Sequence, residues 1–142
     1  MFSHVFVSVR DFERALRFYD AVMGSLGIES RFCEQEKPWA GWHSASDSRP
    51  FFVICKPFNG QPHDPGNGQM IAFAATSRET VRTCYQIALE NGGTCEGPPG
   101  LRPRYHENYY GAYFRDPDGN KLCVACHVPE PDNAKTSIGT SD

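Results

Sequence analysis

The chain has no long hydrophobic run. Val5–Val9 is the first apolar stretch, but Ser8 interrupts it and Arg10, Asp11 and Glu13 follow, so it is too short for a secretion-signal core. No segment approaches the roughly 20 apolar residues of a membrane-spanning helix. The sequence also lacks a block of one charge: 14 Lys and Arg are scattered among 17 Asp and Glu, for a net charge of −3. With a pI near 5.9, there is no electrostatic footprint for nucleic acid or an anionic membrane surface. Neither nucleic acid nor membrane is therefore expected as a partner. A second C-x-x-C is missing as well, and no elbow or oxyanion motif accompanies a nucleophile. These absences leave small molecules or proteins as expected partners and predict a cytoplasmic location. There, Cys33, Cys55, Cys84, Cys95, Cys123 and Cys126 should be mostly reduced thiols.

What is present suits one domain: 142 residues, 39% of them apolar, are enough for a single packed core and few for two. Residues 2–9 alternate as a strand does. From Asp11 to Leu26, apolar groups at Phe12, Ala15, Leu16, Tyr19, Val22, Met23 and Leu26 follow a helical period, with Asp11 placed to cap the start and Gly24 and Gly27 bracketing the end. Short strands are predicted near 29–34, 40–45 and 51–55. The segment 57–68, dense in Pro, Gly and Asn, reads as a connector. After it come a strand over 69–75 and a helix whose start has the capping-box spacing Thr76-Ser-Arg-Glu79. Its predicted inner face is Val81, Cys84, Tyr85, Ala88 and Leu89, and Asn91-Gly92-Gly93 stops it. A short strand near 94–96, a loop over 97–108 and a hairpin follow. The hairpin is Tyr109-Tyr-Gly-Ala-Tyr-Phe-Arg, the turn Asp116-Pro-Asp-Gly-Asn120, and Lys121-Leu-Cys-Val-Ala-Cys-His127. The expectation is an α+β fold of paired βαβββ modules, about 1–56 and 69–127, forming a curved mixed sheet around a cleft. Residues 128–142 are expected to form a flexible tail.

The order βαβββ–βαβββ, the opening Ser3-His4-Val-Phe-Val-Ser-Val-Arg-Asp11 with Arg14-Ala-Leu-Arg-Phe-Tyr19, the strand Met70-Ile-Ala-Phe-Ala-Ala75 and the late Gly111-Ala-Tyr-Phe-Arg-Asp-Pro-Asp-Gly-Asn120 together resemble the vicinal oxygen chelate superfamily. This is the group of glyoxalases, bleomycin-resistance proteins and extradiol dioxygenases. The resemblance spans roughly residues 1–127. It implies a single glyoxalase-like domain, a homodimer, and a cleft in which the enzymes of the group hold one divalent metal. His4 matches the first-strand ligand. No carboxylate lies in 51–55, Met70 lines up where His or Gln is expected with Gln69 beside it, and Cys123 stands in place of the usual glutamate. A metal therefore has His4 as its matching ligand, with Cys123 as a partner. That donor set suits Zn²⁺ better than Mn²⁺, Ni²⁺ or Fe²⁺, with His63 or His106 as a further donor from a loop. No cofactor is required otherwise.

Strand alternation predicts that His4, Phe6 and Ser8 face the cleft with Met70, Ala72 and Ala74, and that Cys123, Ala125 and His127 share one face. His4, Cys123 and His106 are the candidate catalytic groups. Substrate contacts are expected from Phe6, Trp42, Met70, Arg102, Tyr105 and Tyr110, because Arg offers forked donors and aromatic rings offer flat contact. Packing is the competing role for His4, Trp42 and Cys123, and His63 reads as a solvated loop residue. Cys123-Val-Ala-Cys126-His127 matches the haem-attachment and redox patterns, but its cysteines alternate across a strand instead of opening a helix. The expected function is binding of a small organic molecule at a degraded metal site. The alternative is a metal-dependent glyoxalase-like lyase or isomerase of the lactoylglutathione-lyase type, or a dioxygenase.

Overall fold

The computed structural model describes residues 1–131. Most of the proposed tail, 132–142, lies outside the described residues. The first module runs β1 (His4–Ser8), α1 (Phe12–Ser25), β2 (Ser30–Glu34), β3 (Trp39–Trp42) and β4 (Phe51–Cys55). The second runs β5 (Ile71–Ala74), α2 (Arg78–Glu90), β6 (Thr94–Leu101), β7 (Tyr110–Arg115) and β8 (Lys121–Cys126). Each module makes one four-stranded sheet, ordered β1-β4-β3-β2 and β5-β8-β7-β6. In both, the first strand pairs parallel with the last, and the remaining pairs are antiparallel. The α+β architecture is the expected one. Among the described residues, no helix is long and apolar enough to cross a membrane.

Local chemistry explains most boundaries. The Asp11 carboxylate accepts a bond from the Arg14 amide, and α1 buries Phe12, Ala15, Phe18, Tyr19, Val22 and Met23. The cap of α2 differs by one residue from the capping-box expectation. Ser77, not Thr76, is the cap, and its hydroxyl accepts from the Thr80 amide at 3.0 Å. The short strand predicted at 94–96 extends to Leu101, which removes the first five residues from the predicted loop. Pro98 and Pro99 are accommodated because β6 is a sheet edge with register shifts on either side of Gly97.

Val5, Val7 and Val9 turn toward the helix layer, leaving His4, Phe6 and Ser8 on the opposite, open face of the sheet. One core serves both modules: α1 packs on α2, the Phe18 ring meets Phe114 at 6.3 Å, and Phe52 meets Phe73 at 5.2 Å. Both contacts are edge-on, the arrangement favoured by aromatic quadrupoles.

The turn 116–120 also joins the modules. Asp116 collects its own turn, its Oδ1 accepting from the amides of Asp118 and Asn120 at 2.8 and 2.9 Å, while Gly119 supplies the positive φ of 89°. The first module then grips this turn. The Tyr19 hydroxyl donates to Asp116 Oδ2 at 2.6 Å, and Asn120 Nδ2 donates to the Ser8 carbonyl at 3.0 Å. Arg14 donates to Asp118 Oδ1 at 2.7 Å, with Arg10 3.5 Å away. His63 is part of the same joint rather than a solvated loop residue. It accepts from the Ser8 hydroxyl at 2.6 Å through Nδ1 and donates to the Asp118 carbonyl at 3.0 Å through Nε2.

Candidate small-molecule site

The open face of the first sheet is aromatic. Register places His4 beside Phe51, Phe6 beside Val53, Val53 beside Gly41, and Gly41 beside Phe32. The His4 and Phe6 rings lie 5.5 Å apart, and Phe32 touches both Phe51 at 5.8 Å and Trp39 at 4.9 Å. A Cβ on Gly41 would run into the Phe32 ring, so glycine there lets that ring lie flat across the sheet. His4 is exposed, with Nδ1 2.9 Å from the Ser3 hydroxyl.

The open face of the second sheet is small in the middle and polar at one side. Ala72 pairs with Cys123, and Cys123 with Tyr113. Ala74 pairs with Ala125, and Ala125 with Gly111. Cys123 is fully buried beneath two phenols: the Tyr109 hydroxyl is 3.6 Å from its sulfur and 3.0 Å from the Tyr113 hydroxyl. Burial is the main cause that pushes the Cys123 thiol and both phenols upward, so all three are neutral near pH 7. The thiol is thus a packed hydrogen-bonding group with low thiolate character.

The loop residues divide between two faces. Arg102 lies 5.5 Å over the Tyr113 ring and donates to the Pro98 carbonyl at 2.7 Å. Tyr105 is exposed and stacked with Tyr109 at 4.9 Å. His106 Nδ1 accepts from the Asn108 amide at 3.2 Å, which makes Nε2 the donor to His127 Nδ1 at 2.9 Å. Tyr110 goes elsewhere. It pairs with Cys126 and accepts a bond from Arg82 of α2 at 3.2 Å, on the helix side of the sheet, away from Cys123. Tyr109 and Tyr113 roof the thiol instead; their spacing from Gly111 along one strand face was the available signal.

A large concavity lies between the modules, where β1 and β5 are sheet edges without a strand partner on their outer sides. It is an apolar cavity of about 600 Å³, walled by Met23, Leu26 and Ile28 at the end of α1, by Trp42 and Phe52, and by Met70, Ile71 and Phe73. This volume falls within the range of small-molecule sites. Two residues predicted to contact substrate, Trp42 and Met70, line it. Trp42 does so from the helix side of its sheet, buried against Tyr19 and Phe52. Phe6 and Met70 also border a smaller groove of about 330 Å³ with Ser8 and Lys121, nearer the joint.

The side chains do not fit the metal that the superfamily's enzymes hold. Among the described residues, no group of three or more His, Cys, Asp or Glu side chains is arranged to hold an ion. Cys123 is closed off by phenols, and Gln69 donates its amide to the Pro65 carbonyl at 3.1 Å. His63 has both ring nitrogens engaged in the inter-module joint.

Paired βαβββ modules with a cavity at their seam define the α+β scaffold. Residues 1–124 match the model of the Glyoxalase/Bleomycin resistance protein/Dioxygenase superfamily, and the chain belongs to that family. It is 42% identical to a glyoxalase/bleomycin resistance protein from Albidiferax ferrireducens T118, with a TM-score of 0.79 over 89% of this chain and 98% of that one. A putative glyoxalase from Bacillus halodurans, 23% identical, superposes with a TM-score of 0.65 over 89% and 95% of the two chains. A family enzyme from Burkholderia phytofirmans PsJN, 18% identical, superposes at 0.66 over 89% and 98%. The latter two show the fold alone. A search of curated protein sequences finds no match.

Proposed function

We propose that this protein binds a small organic molecule at the seam between its modules, without metal-assisted turnover. The apolar cavity of about 600 Å³ carries this reading. Its walls come from both modules, so it is preformed by the fold and needs no loop to close. A lyase, isomerase or dioxygenase step would require a divalent ion at His4 with Cys123, and the Cys123 sulfur lies closed beneath the Tyr109 and Tyr113 phenols. Filling the cavity tests the proposal. Small organic molecules found to bind by calorimetry should lose binding in Ile28→Trp with the circular dichroism spectrum unchanged; binding that survives refutes the site. Elemental analysis of protein purified without chelator or affinity metal is the companion test, and a stoichiometric metal lost in His4→Ala would overturn the metal-free reading.

The protein is further proposed to be a homodimer in the cytoplasm. The unpaired outer edges of β1 and β5 and the exposed Phe6 and Met70, at 53% and 41% exposure, are surfaces a second copy would cover. Six free cysteines suit a reducing compartment. Sedimentation equilibrium should give a dimer mass, and a concentration-independent monomer would refute it.

A further inference from the structure

Taking the seam cavity as the binding site, we infer that its ligand is an uncharged, mostly apolar molecule carrying a hydroxyl group, such as a phenol or an alcohol. The inference rests on what the cavity wall offers and what it withholds. Among the described residues, no Asp, Glu, Lys or Arg lines it, so a charged group would lose its hydration there without gaining a partner. Polar groups enter at one corner, where Trp42, His43 and Ser44 follow one another at the end of β3.

The hydrogen bonding at that corner fixes its chemistry. His43 Nδ1 lies 2.9 Å from the Ser44 carbonyl oxygen. A carbonyl only accepts, so Nδ1 carries the proton and Nε2 of the neutral ring is an acceptor. Phe51 holds the ring edge-on at 4.7 Å and an interplanar angle of 89°. Nε2 has no hydrogen-bond partner among the described residues. The indole N–H of Trp42 also lacks an acceptor among the described residues, but it is wholly buried on the helix side of the sheet, out of a ligand's reach. The wall therefore offers one free acceptor at this corner, His43 Nε2. A hydroxyl group is the smallest uncharged group that donates to it. The rest of the molecule meets Met23, Leu26, Phe52 and Phe73, which reward apolar area.

Calorimetric titration with 2-naphthol, naphthalene and 2-naphthoate tests the inference, since the three share one ring system and differ in the group presented to the corner. The expected order is 2-naphthol, then naphthalene weaker by about three- to tenfold, the worth of one hydrogen bond, and 2-naphthoate weakest. His43→Phe should bring naphthol and naphthalene within about twofold of each other while naphthalene binding persists. Ile28→Trp should abolish binding of both, with the fold verified by circular dichroism. Equal affinities in the wild type, or a naphthol preference that survives His43→Phe, would overturn the hydroxyl assignment and leave the cavity as a binding site. Tightest binding of 2-naphthoate would overturn the uncharged class. Absence of saturable binding by all three would overturn the seam site itself.

Discussion

Replacing Tyr19 by Phe removes one oxygen atom and should unfasten the modules from each other. The Tyr19 hydroxyl and the Asp116 carboxylate meet at 2.6 Å, and both residues are buried. In the variant the ring still fills its place against Phe18, Trp42 and Phe52, so no cavity opens. Asp116 Oδ2 retains only Asn120 Nδ2 at 2.8 Å. Hydrogen bonds to charged groups contribute about 1.5–3 kcal/mol, roughly a ten- to hundredfold change in the folding equilibrium. At about 2–4 °C per kcal/mol for a domain of this size, Tm should fall by about 3–12 °C. Urea denaturation followed by tryptophan fluorescence measures the difference directly. A double-mutant cycle with Asp116→Asn isolates the pair and should give a coupling energy of at least about 1 kcal/mol. A change below about 0.5 kcal/mol in Tyr19→Phe would show that the bond contributes nothing net and would refute the reading of the turn as a joint.

Stability should decline at alkaline pH. Burial raises Cys84 and Cys123, together with Tyr19 and Tyr109, above their ordinary values in the folded chain. A raised folded pKa gives stability that is complete below the unfolded value and lost as pH rises through the folded one, so the loss begins above about pH 8.5 for the thiols. The slope of Tm against pH should flatten in Cys123→Ala, and an unaltered slope would contradict the account. Thiol titration of the native protein should show fast reaction at the exposed Cys33 and Cys95, with Cys84, Cys123 and Cys126 reacting only after denaturant is added. Mass-mapped modification of Cys123 in the fast phase would show that the phenol roof opens in solution.

Local patterns made the elements legible in the sequence, and non-local ones hid the site. The α1 period from Phe12 to Met23 and the cap at Asp11 involve neighbours within a few residues, and both correspond to observed features. The strand β6 escaped because Gly97-Pro-Pro-Gly100 carries the composition of a loop, and only an edge position with shifted register accommodates it. His63 looked solvated because its partners, Ser8 and Asp118, are each 55 residues away along the chain. The seam cavity escaped for a similar reason. Trp42 turns to the helix side and lines one cavity with Phe73 and Met70 of the other module, and no periodicity within either module reports that arrangement. Tyr110 and Tyr113 have similar sequence surroundings, and only the pairing of Tyr110 with Cys126 and of Tyr113 with Cys123 separates their roles.

The turn at 116–120 bears on chain connectivity. Its partners Tyr19, Arg14 and Ser8 lie 97, 104 and 112 residues before the turn residues they bind, while the peptide link between the modules is the connector 57–68. The connector contributes His63 to that joint and otherwise keeps the modules at high effective concentration, a contribution that varies only slowly with its length. Lengthening it, or cutting it at Phe58, which is fully exposed, should leave two pieces that still recognise each other through a buried polar joint. Such a chain could be divided into complementing halves, and the seam cavity would then exist only when both halves are present.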